Sequence, residues 1–128
     1  MSTKKTKTNT KHKYFMKLAY KQAGKILGNT GENPAVGCVI VKNNKIIRLS
    51  HTNFKGRPHA ENIALSNKKI NFRNSLLYST LEPCSHYGKT SPCIEIIIKK
   101  QNIKTVFFSK YYPYKRSLKK AKKKIKKI

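Results

Sequence analysis

Ala35-Val36-Gly37-Cys38-Val39-Ile40-Val41, then Lys42, the pair Asn43-Asn44, and Lys45-Ile46-Ile47-Arg48-Leu49 follow one another without a break. The first part is a valine-rich apolar run, too short for a helix, and predicts a buried strand. Asparagine tolerates left-handed backbone, so Asn43-Asn44 predicts a tight turn and Lys45–Leu49 the returning strand of a hairpin. On the N-terminal side, Phe15, Leu18, Ala19, Ala23 and Ile26 recur at helical spacing over Lys11–Leu27, until Gly28-Asn29-Thr30-Gly31 ends the pattern. On the C-terminal side, His59–Ser66 reads as a helix entered from Pro58, and Ser75–Thr80 as a strand. Glu82–Ser91 reads as a polar loop, Pro92–Lys100 as a helix and Lys104–Ser109 as a strand. The resulting order α-β-β-α-β-α-β calls for an α/β fold, a three-layer α/β/α sandwich around a mixed sheet of four to five strands.

The chain of 128 residues is one domain's worth of sequence. Its 30 Lys and Arg against four acids give a formal charge of +26. Much of this lies at the ends. Residues 1–10 are a Thr/Lys/Asn stretch with nothing to bury, expected to be a disordered basic tail, and His12 is assigned no role. Residues 115–128 are lysine-rich; Leu118, Ala121, Ile125 and Ile128 fall at roughly helical spacing, so a tail or a helix is expected there. Such charge attracts polyanions and anionic substrates. Lysine is spread over every apparent surface and Asp is absent, which favours a compositional bias over a dedicated nucleic-acid site. The longest uncharged apolar run, Ala35–Val41, falls far short of the ~20 residues of a spanning helix. Three cysteines without framework spacing point to metal binding in a reducing compartment, the cytoplasm.

Three pieces carry chemistry: His59-Ala60-Glu61, Pro83-Cys84 and Pro92-Cys93. Catalytic zinc takes three protein ligands and leaves its fourth tetrahedral position to water, and His59, Cys84 and Cys93 match that count. Both cysteines follow a proline at an inferred helix entrance, where thiolate is favoured over thiol. Glu61, two residues beyond His59, is near the metal yet free of it, as suits a proton carrier. His-x-Glu followed by Pro-Cys and a second Cys is the general signature of zinc deaminases. A structural zinc would need a fourth protein ligand, for which His86 is the nearby candidate. Cys38 reads as an inert core thiol and Glu82 as a brace for the loop it precedes.

Asn33-Pro34-Ala35-Val36-Gly37-Cys38-Val39-Ile40-Val41, Gly56-Arg57-Pro58-His59-Ala60-Glu61 and Thr80-Leu81-Glu82-Pro83-Cys84-Ser85-His86-Tyr87-Gly88-Lys89-Thr90-Ser91-Pro92-Cys93 resemble the deaminase domain of the bifunctional riboflavin-biosynthesis deaminase/reductase family. The likeness runs from about Lys11 to Ser109. Its most specific clue is the eight residues between the two cysteines. The resemblance implies a cytidine-deaminase-like α/β/α sandwich. It also implies hydrolysis of the 2-amino group of 2,5-diamino-6-ribosylamino-4(3H)-pyrimidinone 5′-phosphate, with Zn²⁺ as cofactor. By the same resemblance, His59, Cys84 and Cys93 are ligands, Glu61 is the acid/base, and Asn33, Thr52, His86 and Lys89 fall at substrate-contacting positions. Residues 11–114 are then the deaminase domain. The reductase domain is expected to be absent, supplied by a separate protein. A homo-oligomer is left open, nucleic acid is expected to bind at most non-specifically, and no membrane is involved. Two alternatives stay open: a protein that acts on or binds nucleic acid, and an inactive, truncated deaminase-like subunit.

Overall fold

The computed structural model describes residues 3–83, 101–111 and 125–128, with side chains from Asn9 onward. Helix α1 (Thr3–Gly24) leads into strands β1 (Gly37–Lys42) and β2 (Lys45–His51). A 3₁₀ turn at Phe54–Gly56 precedes helix α2 (Ala60–Ala64), followed by β3 (Leu76–Leu81), β4 (Thr105–Lys110) and β5 (Ile125–Lys127). The strands form one sheet in the order β2-β1-β3-β4-β5. β1 is antiparallel to both β2 and β3, whereas the β3–β4 and β4–β5 pairs are parallel. This is the mixed sheet that the alternation of elements calls for.

The hairpin turns where the sequence places it. Asn43 and Asn44 both have positive φ, 52° and 64°, the conformation of a two-residue turn whose twist suits the flanking strands. Side chains alternate across the sheet with period two. Val39 and Val41 join Tyr78 and Phe107 on one face, where Phe15, Met16 and Ala19 of α1 cover them. Cys38 and Ile40 join Leu77, Val106 and Phe108 on the other face, against Ala60 and Ala64 of α2 and Leu65 just beyond it. Two helical layers thus enclose the sheet.

Three expectations need correction. The helical backbone of α1 begins at Thr3, not Lys11, so residues 3–10 do not form the disordered tail expected of residues 1–10. Their Thr, Lys and Asn side chains carry no apolar signal, but the segment contains neither Pro nor Gly, and lysine is a good helix former. His12 therefore belongs to the fold. Its ring lies against Phe107 and its Nδ1 is 2.5 Å from the hydroxyl of the buried Tyr78. Burial, then Lys11 and Lys126, lower its pKa.

The third correction lies at the C-terminal end, where Ile125–Lys127 is a strand and not a helix or tail. Val106 faces Ile125 and Phe108 faces Lys127 in register. Without this pairing β4 would present an open row of backbone donors and acceptors. Capping that edge outweighs a weak helical repeat, and Ile125 is buried in the process. Leu118 and Ala121, and the helix expected over Pro92–Lys100, lie outside the described residues.

Candidate active site

The candidate site lies at one end of the sheet, off the C-terminal ends of β2 and β3 and the N-terminal end of β1. A cavity there is lined by Asn33, Pro34, Val36, Thr52, His59, Glu61, Leu81 and Glu82. Four of the candidate site residues thus share one cavity, Asn33, Thr52, His59 and Glu61, together with Glu82, read from sequence as a loop brace. Cys84, Cys93, His86 and Lys89 lie outside the described residues, beginning one residue beyond the buried Pro83. No group of three His, Cys, Asp or Glu side chains among the described residues is placed to hold a metal.

His59 is the N-cap of α2, with extended backbone (φ −69°, ψ 157°) and no side-chain capping bond. Glu61 follows in the first turn, where the Cα–Cβ bonds of a helix tilt back toward its start. It is only 4% exposed. A carboxylate so far removed from water requires compensation by its surroundings. Imidazole and two thiolates form a nitrogen–sulfur donor set whose charge balances Zn²⁺. His59, half-buried on the cavity wall, has the nitrogen donor that such a set calls for.

The loops around the cavity are tied to one another. Thr30 Oγ1 donates to Asn33 O at 2.5 Å, and Asn33 Nδ2 donates to Gly56 O at 3.1 Å. Lys55 N–H donates to Asn29 O at 2.8 Å. Gly56 has φ +97°, and a Cβ there would stand 2.4 Å from Thr30 O. Glycine is what lets these two loops close on each other.

Thr52 also has structural work. It is 1% exposed; its Oγ1 accepts a bond from Val36 N–H at 2.9 Å and reaches Pro34 O at 3.2 Å. Thr52→Val keeps the shape but leaves the Val36 N–H without its side-chain acceptor. Orphaning a buried donor costs about 1–3 kcal/mol. Urea denaturation should show a loss in that range, with Thr52→Ser much closer to the parent. Equal stability of the valine and serine variants would refute the assignment.

Behind the cavity stand residues that sequence reasoning passed over. Ser50 Oγ donates to Ala60 O at 2.6 Å; Arg48 donates from Nε to Ala64 O at 3.1 Å and from its guanidinium to Ile63 O at 3.2 Å. Side chain-to-backbone bonds of this kind leave no periodic trace in a sequence. Cys38 is fully buried beneath them, and burial, followed by the charge of Glu61, raises its thiol pKa well above the ordinary value. Such a thiol is inert.

A mixed five-stranded sheet between two helical layers, with His and Glu at the mouth of α2, defines the cytidine-deaminase-like class. The family model for the cytidine and deoxycytidylate deaminase zinc-binding region matches residues 9–110, and the chain belongs to this family. The riboflavin biosynthesis protein RibD of Aquifex aeolicus is 46% identical over 87 residues, covering 68% of this chain and 24% of that protein. The chloroplastic riboflavin biosynthesis protein PYRD of Arabidopsis thaliana is 42% identical over 86 residues, 67% of this chain and 20% of that one. Among solved structures, the diaminohydroxyphosphoribosylaminopyrimidine deaminase/5-amino-6-(5-phosphoribosylamino)uracil reductase of Thermotoga maritima superposes with a TM-score of 0.84 at 35% identity. That match covers 92% of this chain and 36% of that one. The dCMP deaminase of cyanophage S-TIM5 shares the fold, with a TM-score of 0.70 at 20% identity. The chain spans about a quarter of the length of the curated relatives it matches.

Proposed function

We propose that this chain hydrolyses the 2-amino group of 2,5-diamino-6-ribosylamino-4(3H)-pyrimidinone 5′-phosphate, releasing ammonia, as a cytoplasmic zinc-dependent deaminase of riboflavin biosynthesis. The observation that carries the reading is the cavity shared by His59, Glu61, Asn33 and Thr52, lined also by Leu81 and Glu82, after which Pro83-Cys84 come next in the sequence. His59, Cys84 and Cys93 would hold the zinc, which supplies Lewis acidity that turns water into a nucleophile near neutral pH. Asn33 has given its Nδ2 to Gly56 O; its amide oxygen is the remaining acceptor for a ring N–H. Lys89 is assigned to the phosphate, for which a cation is the natural partner, and His86 to the ring.

Glu61 carries the protons. It takes one from the attacking water as the C–O bond forms and gives it to the ring nitrogen beside that carbon, then passes the remaining hydroxyl proton to the exocyclic nitrogen as the C–N bond breaks. One water is consumed, the ring carbon gains a carbonyl, and ammonia leaves. Burial of Glu61 keeps solvent from competing for that proton. No helix among the described residues is long and apolar enough to cross a membrane. A separate reductase acting on the product, and self-association of the chain, belong to the same reading.

The test pairs two substrates at about 150 mM salt, where exposed charges are screened beyond ~8 Å. Ammonia release from the pyrimidinone phosphate, with one zinc per chain by elemental analysis, is the expected result. Deamination of a mixed single-stranded oligonucleotide instead would transfer the activity to nucleic acid. Turnover of neither substrate by zinc-loaded protein would leave an inactive subunit.

A further inference from the structure

The cavity residues sit on a helix that holds itself poorly. α2 has five residues, and an isolated helix of that length is unstable because few bonds offset the cost of its first turn. Ile63 N–H donates to His59 O at 3.1 Å and Leu65 N–H to Glu61 O at 3.0 Å. These two bonds begin on the metal-ligand candidate and on the acid/base candidate themselves. Whatever fixes the far end of α2 therefore fixes both functional residues.

Strand β2 supplies that fixture. Ser50 and Arg48 are two residues apart, so both point to the face of the sheet that α2 covers. Ser50 holds the first carbonyl of α2, that of Ala60. Arg48 spreads its planar fork over the last two, those of Ile63 and Ala64. Glu61 projects from between these anchors. Arg48 is half-buried, and its Nε and one terminal guanidinium nitrogen donate to backbone carbonyls.

We propose that Arg48 is a positioning residue for the deaminase site, holding Glu61 and His59 in place by clamping the C-terminal carbonyls of α2 to β2. The proposal rests on the roles assigned above to those two residues, but part of its test does not. A guanidinium is needed because a rigid fork reaches two adjacent carbonyls at once, whereas an ammonium is a single point donor. Small displacements of a catalytic group lower turnover without altering how the rest of the substrate is held.

The experiment compares the parent with Arg48→Met, Arg48→Lys and the exposed-strand control Lys45→Met. Hydrogen exchange at the Ile63 and Leu65 amides, zinc content, and kcat and KM for the pyrimidinone phosphate are measured. Arg48→Met should speed exchange at Ile63 and Leu65 by about tenfold or more, while the Val39 and Tyr78 amides in β1 and β3 keep their rates. Its kcat should fall by about tenfold with KM within about twofold and zinc retained. Arg48→Lys should recover part of both losses, and Lys45→Met should match the parent. Unchanged α2 exchange, or loosening spread over the whole sheet, would overturn the proposal. So would a kcat equal to the parent's, or a loss of activity that merely tracks lost zinc. Should Arg48→Met fail to fold, the exchange rates of Arg48→Lys decide in the same way. If the parent itself does not turn over the pyrimidinone phosphate, the functional reading fails while the exchange pattern still judges Arg48.

Discussion

Glu61→Gln is expected to reduce ammonia release by about 10²–10⁴-fold, the usual contribution of a general acid–base group. Glutamine has nearly the shape of glutamate, so the contacts that bury this side chain are kept, but an amide cannot take a proton from water and pass it on. The loss should fall on kcat and kcat/KM alike, because a proton in flight is a feature of the transition state and not of substrate binding. Zinc content and melting temperature should stay near the parent's, since Glu61 is assigned no bond to the metal. Near-normal turnover in this variant would make Glu61 a structural residue and remove the proton path from the mechanism. Lost zinc together with lost activity would instead make it a ligand.

How much of this was legible beforehand depended on whether a residue's role follows from its neighbours in the chain. The hairpin was legible because a short valine-rich apolar run and the Asn43-Asn44 turn are local properties, and the observed φ values meet that expectation. His59 and Glu61 were legible because two residues on one short helix necessarily travel together. Strand β5 was not, since Ile125 has no local reason to be extended: its partner Val106 lies far back in the sequence. His12 was missed for the same reason, as its partners Tyr78 and Phe107 come from two distant strands. Thr52 shows a subtler limit. The resemblance put it at a substrate-contacting position, but nothing in the sequence pointed to the backbone groups of Val36 and Pro34 that engage its hydroxyl.

Arg48 and Ser50 extend that point to the chemistry. Neither belongs to any motif that marks a deaminase, yet they lie one layer behind the residues that do. In a chain with 30 basic residues, another arginine on an edge strand attracts no notice until its donors are seen on α2. A basic composition thus conceals one cation with a specific task among many without one.

Gly37→Ala is expected to be among the most destabilising single substitutions in the described fold. A Cβ at Gly37 would stand 1.7 Å from Ala19 O and 2.7 Å from Ala23 N, both backbone atoms of α1. A flexible side chain can swing away from an intruding methyl, but a helix backbone moves only as a body. The added carbon must therefore push α1 off the sheet, separating Ala19, Phe15 and Met16 from Val39, Tyr78 and Phe107. Overpacking a core generally costs about 1–3 kcal/mol; against rigid backbone the cost should reach or exceed the top of that range. For a domain of this size such a loss lowers the melting temperature by on the order of 10 °C. The damage should extend to the cavity, because Gly37 N–H donates to Thr80 Oγ1 at 3.2 Å and its neighbour Val36 is held by Thr52. Gly24, at the end of the same helix, has nothing within 4 Å of a would-be Cβ, so Gly24→Ala should be neutral or slightly stabilising. Thermal and urea denaturation of the two variants side by side makes the comparison. Equal stabilities would mean that α1 does not seat on β1 through Ala19 and Ala23.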